Sequence, residues 1–195
     1  HLLLLWPLSL IRIPTPYAVS LLIVTLNIAG AYLMFLFTMH YLNVAFGRIG
    51  SLKFRAYLPA TLAGFVFMCH PPMNIYGDVF PQLVFVRNIA PLYFLGICKM
   101  ISCENRRLMR VFFFGSSLLL SLLQFIDPRA ILYLPFIALW LIVLPYSIHR
   151  RTKRYIYLFF LNTLLSAFLP FGELAYRFLC YEVAAMRPSI VFTID

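Results

Sequence analysis

Lys99-Met100-Ile101-Ser102-Cys103-Glu104-Asn105-Arg106-Arg107-Leu108-Met109-Arg110 decides the fold, because four cations stand there in a polar stretch between two long apolar runs. Arg48, Lys53 and Arg55 form a similar cluster upstream, and Arg150, Arg151, Lys153 and Arg154 another downstream. Two apolar segments separate each cluster from the next. If every segment crosses a bilayer, all three clusters lie on one side of it, and the positive-inside rule makes that side cytoplasmic. The opposite connections hold little positive charge: residues 71–82 carry only Asp78, and residues 127–129 set Asp127 against Arg129.

Composition agrees with this reading. A chain of 195 residues that is 63% hydrophobic and 11% charged cannot enclose its apolar surface in one soluble globule. An integral membrane protein is therefore expected, all-α and polytopic, forming a single helical membrane domain over residues 1–195. The net charge of +10 would point to nucleic acid in a soluble protein. Here it flanks apolar segments, where anionic lipid headgroups attract it, so no nucleic-acid partner is expected. Cys69, Cys98, Cys103 and Cys180 form no CxxC pair and indicate neither a zinc site nor a disulfide framework. His1 stands where an initiator methionine would, and Ser189 to Asp195 reads like the start of another apolar segment, so a longer protein is expected. Leu2 to Leu10 is too short to span, is interrupted by Pro7, and lacks the basic start and small-residue cleavage site of a signal peptide.

Apolar segments are read at 17–46, 56–70, 83–101, 111–126, 130–147 and 155–170, with a weaker seventh at 173–186. A straight spanning helix needs about 20 residues, so some of these are short and rely on flanking residues to reach the interface. The expected architecture is a bundle of about six or seven membrane helices, several of them short. Pro59, Pro91, Pro135 and Pro145 lie inside or near segment ends, where they kink helices or set entry turns.

Candidate chemistry is sparse. His40, His70 and His149 have no i, i+4 partner and no carboxylate triplet, so no metal, haem or other cofactor is expected. Asp78, Asp127, Glu173 and Glu182 are far apart in sequence, so only a fold could bring two of them together for acid and base work. Asp78 and Asp127 fall on the predicted non-cytoplasmic face, either as part of a lumenal site or as loop acids capping helix starts. Arg87 and Asn88 lie a few residues into the third segment, where an arginine needs a partner, a headgroup or a water-filled cavity. Arg87 either snorkels to the lumenal interface and pairs with Asp78, or meets substrate. Glu182 and Arg177 either pair within the membrane or mark an amphipathic helix along its surface.

From residue 56 to 137 the order of features resembles the GT-C superfamily of multi-spanning membrane proteins, and in particular the PIG-U-type subunits of GPI transamidase. Tyr57-Leu58-Pro59, Ala60 to Cys69 and His70-Pro71-Pro72 are similar to the helix that in these proteins starts near Tyr-Ile-Pro and ends in Asn-Pro. Arg87-Asn88 stands where such chains have a polar, Asn-containing helix start, Asp127-Pro128 and Leu134-Pro135 resemble the family's lumenal turn, and Arg187-Pro188-Ser189-Ile190 resembles its Thr-Pro-Asn-Ile. The Arg-Gly-Asn signature of the related first GPI mannosyltransferase is absent, because Arg87 and Asn88 are adjacent, and His70 replaces the usual Asn.

The resemblance implies a non-catalytic subunit of the endoplasmic reticulum membrane. Such a subunit binds the GPI glycolipid and presents it to a separate transamidase subunit within a hetero-oligomeric complex. Arg87, Asn88, Asp78 and Asp127 are its candidate lipid-binding residues. The alternative is a GT-C glycosyltransferase using a polyprenyl-phosphate sugar, with Asp78 as a lumenal base. A third reading is a translocase component, since Ser51-Leu52-Lys53-Phe54-Arg55 and Arg151 to Pro170 also resemble pieces of the twin-arginine translocase C subunit. The low density of internal polar contacts expected of so apolar a chain suggests that it packs against other membrane proteins.

Overall fold

A backbone in hydrocarbon must satisfy its own polar groups, and a chain of apolar runs answers by making each run a helix. The structure, a computed structural model, describes residues 15–46, 52–69, 81–150 and 153–168. Among these residues there are helices and short turns and no strand: α1 (Thr15–Phe46), α2 (Leu52–Cys69), α3 (Pro81–Ser102), α4 (Arg106–Ile126), α5 (Ala130–His149) and α6 (154–168). Four of them, α1, α3, α4 and α5, are long and apolar enough to cross a membrane, and α2 contributes a shorter apolar stretch at Ala56–Cys69. The fold is the all-α membrane bundle expected. The weaker segment at 173–186, with Arg177 and Glu182, lies outside the described residues, as do His70, Asp78 and Arg187 to Ile190.

Helix starts differ from expectation for a local reason. α4 begins at Arg106 instead of residue 111, because Asn105 has extended backbone angles and its Oδ1 accepts from the Arg107 amide at 2.9 Å. That bond satisfies one of the four orphan N–H groups at the helix start, so the first turn takes in Arg106, Arg107 and Arg110. The basic turn therefore shrinks to Cys103, Glu104 and Asn105. At the far end Asp127 forms the corner into α5: its Oδ1 accepts from the Arg129 amide at 3.0 Å and from Arg129 Nε at 3.1 Å, while its own carbonyl accepts from the Ala130 amide.

Cross-contacts give the topology. Asn27 meets Asn88 and His40 meets Ser102, so α1 and α3 run parallel, and α2 runs back along α1, with Tyr57 beside Phe35 and Gly64 beside Ala31. Ser117 meets Asn162 and Ser121 meets Ser166, so α4 and α6 are parallel too. The C-terminal ends of α1, α3 and α5 meet around Tyr41, Cys98 and Tyr146, and Arg106, Arg150 and Arg154 converge on one cavity at that same end. The second and third cationic clusters thus share one end of the bundle, and Lys53 and Arg55 begin α2 where α1 arrives.

α3 is the central helix. In its spanning window 61% of residues are buried, against 33% in α4 and α5 and 11% in α1. Tyr93, Ile97, Met100 and Ile101 of α3 form the centre of the core with Leu120, Leu134, Val143 and Phe159 from the three later helices. α1 and α2 approach closely because small residues recur at four-residue spacing: Ala56, Ala60 and Gly64 are all buried. A Cβ on Gly64 would stand 3.0 Å from the Ala31 carbonyl oxygen. Such small-xxx-small stripes let membrane helices gain dispersion contact where no hydrophobic drive separates helix from lipid.

Midway along α5 the chain opens into a π turn, Leu139–Val143, closed by the Leu144 amide on the Leu139 carbonyl. Pro145 follows after Leu144. Its ring has no N–H and would collide with the carbonyl four residues back, and widening the preceding turn relieves that collision.

Two outcomes test this arrangement. Single cysteines at Glu104 and Lys153 are expected to react with a membrane-impermeant maleimide from the same side, and one at Pro128 only from the other. Gly64→Leu should destabilise the purified protein by about 1–3 kcal/mol, the usual cost of overpacking, read as earlier thermal unfolding in mild detergent.

Candidate functional site: polar groups inside the bundle

Arg87 sits on α3 some 15 residues before its end at Ser102, which puts it about 22 Å along the axis from the cationic end of the bundle. In a hydrocarbon layer of about 30 Å that is close to the opposite interface. The side chain is half-buried. Its Nη2 donates to the Phe67 carbonyl oxygen at 2.7 Å, and its guanidinium lies 4.6 Å from the centroid of the Phe67 ring. Phe67 belongs to the last turn of α2, whose carbonyls have no partner within the helix. Arg87 therefore caps α2 from a neighbouring helix and sets a positive charge against the negative end of its dipole. Among the described residues no partner takes the other four N–H donors of the guanidinium. Pro91 adds to the polarity here, since it cannot donate to the Arg87 carbonyl one turn back.

Asn88 points the other way around α3. It is 2% exposed, and its Nδ2 donates to Asn27 Oδ1 on α1 at 2.9 Å. Gly30 lies against it so tightly that a Cβ there would collide with Asn88 Oδ1. Adjacent in sequence, Arg87 and Asn88 thus tie α3 to two different helices, α2 and α1. Asp127 is buried at the α4–α5 corner with Arg129, and no hydrogen bond or ion pair joins it to Arg87 or Asn88. Of the described candidates, Arg87 and Asn88 are neighbours in sequence that reach different helices and neither meets Asp127, while Asp78 lies outside the described residues.

A second polar cluster went unread in the sequence. Ser117, Ser121 and Gln124 on α4 and Asn162 and Ser166 on α6 form a buried seam, with Ser116 beside it. The Asn162 Nδ2 hydrogens are shared among the Phe113 carbonyl at 2.7 Å, Ser116 Oγ at 2.9 Å and Ser117 Oγ at 2.7 Å. Further along, Ser121 Oγ donates to the Ser166 carbonyl at 2.7 Å, and Ser166 Oγ turns back to the Thr163 carbonyl. The signal was present: residues 117, 121 and 124 share one helical face, and so do 162 and 166. Buried serines and amides of this kind join helices in lipid, so the seam is the bond that holds α6 to the bundle.

None of these clusters pairs a nucleophile with a base. No group of three or more His, Cys, Asp or Glu able to hold a metal ion occurs among the described residues. What the arrangement can do is present a cation at membrane depth beside an apolar helix bundle. Compared with family models, curated proteins and solved structures, the chain gives no significant match in any of the three.

Asn162→Leu should cost about 1–2 kcal/mol, since it removes several interhelical hydrogen bonds at once, whereas Ser121→Ala should cost about 0.6 kcal/mol. Titration of the detergent-solubilised protein with SDS measures both, and equal costs would show that Asn162 is no hub.

Proposed function

We propose that this chain is a membrane-embedded, lipid-holding subunit that does no bond chemistry itself. Its lipid carries a phosphate, and glycosylphosphatidylinositol is the lipid that the resemblance to GPI transamidase subunits favours. Arg87 carries the reading. Its guanidinium is held in place by the Phe67 carbonyl and ring, it lies near one membrane interface, and it keeps donors in the planar fork that suits phosphate oxygens. An arginine at membrane depth is costly, and capping α2 uses only one of its donors.

The outer surface supports a role within a larger assembly. Leu62, Phe65 and Val66 on α2, Leu132, Phe136 and Trp140 on α5, and Leu164 and Phe168 on α6 are exposed large apolar residues, available to lipid tails or to partner subunits. On this proposal the cationic turns face the cytoplasm, the membrane is that of the endoplasmic reticulum, and Arg87 faces the lumen with the glycan head.

The deciding experiment is mild-detergent purification of the tagged full chain from its native membrane, with mass spectrometry of the proteins and lipids that accompany it. A stoichiometric cysteine-protease-like transamidase subunit together with a GPI lipid is the expected result. A chain that runs alone and carries a polyprenyl-phosphate sugar overturns it in favour of a GT-C glycosyltransferase. Arg87→Ala should lose the phosphate lipid. Arg87→Lys should retain part of it, because a lysine keeps the charge and loses the bidentate fork.

A further inference from the structure

At the opposite, cationic end of the bundle, the start of α4, the end of α5 and the start of α6 enclose a cavity of about 260 Å3. Arg106, Arg150 and Arg154 line it, one from each of those three places, with Glu104 as the acidic residue and Tyr146 and Tyr155 beneath. We propose that this cavity is a binding site for a phosphomonoester group, separate from the Arg87 region and independent of the function proposed above.

Three observations carry the assignment. The first is charge: among the described residues that line it, arginines outnumber carboxylates, with Arg106, Arg150 and Arg154 beside Glu104, an excess that suits a phosphomonoester, whose own charge at neutral pH is about −1.5 to −2. The second is preorganisation. Tyr146 and Tyr155 pack edge to face at 5.0 Å, and the Arg150 guanidinium lies 5.8 Å from the centroid of the Tyr146 ring, so one arm of the site is seated on an aromatic floor. Among the described residues the Arg106 guanidinium has no hydrogen-bond or ion-pair partner, leaving its full set of donors for a ligand. The third is direction. Arg106 is the first residue of α4 and Arg154 the first of α6, so the positive ends of two helices open on the same cavity.

Cavity size restricts the ligand further. Sites for drug-sized molecules run from roughly 300 to 1,000 Å3, so this one suits a headgroup and not a whole glycolipid. Ile101, beside the last residue of α3, and Met109, one turn into α4, also line it, which sets it at the end of the bundle. A phosphate there comes either from an anionic lipid in the adjoining leaflet or from a water-soluble phosphate ester.

The test uses the full chain in a zwitterionic detergent, titrated with short-chain phosphatidic acid and followed by native mass spectrometry. One saturable adduct is expected, with phosphatidylcholine giving none. The triple variant R106Q/R150Q/R154Q should bind about a hundredfold more weakly, given the usual contribution of each arginine to anionic headgroup binding. R107Q/R110Q removes charge from the same end without touching the cavity and should stay within about threefold of the parent. Loss of equal size in both variants, or an adduct that never saturates, overturns the site, because general surface charge would then explain the binding. R106K/R150K/R154K guards against a folding defect: it keeps the charge, should elute as the parent does, and should bind at an intermediate level. Displacement of the adduct by millimolar inorganic phosphate assigns the site to water-soluble esters, and persistence of the adduct assigns it to the lipid.

Discussion

Where water is excluded, a buried amide must find its partner on a neighbouring helix, and two asparagines tie this bundle together on that rule. Asn88 joins α3 to α1, and Asn162 joins α6 to α4. Lipid tails are as apolar as leucine, so the large aliphatic side chains that dominate the composition do little to choose one helix partner over another. Selection falls to the few groups that lipid cannot satisfy and to the small residues that let backbones approach. Among the described residues the buried Oδ1 atoms of both asparagines have no partner, and each amide is held there through its donor side.

Much of this was legible in the sequence, and the reasons are physical. Segment number and order followed from apolar run lengths between cationic clusters, because the bilayer imposes a length and the clusters impose a side. The described helices fall on the six stronger segments, from 17–46 through 155–170. Boundaries were less legible: α4 starts early because one asparagine side chain caps it, and a run-length reading has no means of weighing a single cap. Arg87 was singled out as an arginine a few residues into an apolar segment, and among the described residues its hydrogen-bond partner is a backbone carbonyl, which no search for an acidic side chain would find.

The serine and asparagine seam was missed for a different reason. Serine is nearly neutral in hydropathy, so Ser116, Ser117 and Ser121 disappear into an apolar average, and only their spacing along one helix face gives them away. The same holds for Ala56, Ala60 and Gly64, whose meaning is lodged in a four-residue period. In a chain this apolar, the informative residues are the small and weakly polar ones, and the period they keep says more than their hydrophobicity.

The π turn in α5 has a consequence for aim. A wider turn is an α-helix with one residue inserted, and each residue advances a helix by about 100°. Everything after Val143 is therefore rotated by that amount relative to an unbroken α5, and the rotated part carries Tyr146 and Arg150. Both line the cationic cavity between α4 and α6. Removing a single residue from Leu139–Val143 would leave a helix of nearly the same length and hydropathy whose terminal arginine is swung to another face. The orientation of the cationic end is thus stored as a phase, in the count of residues around one proline.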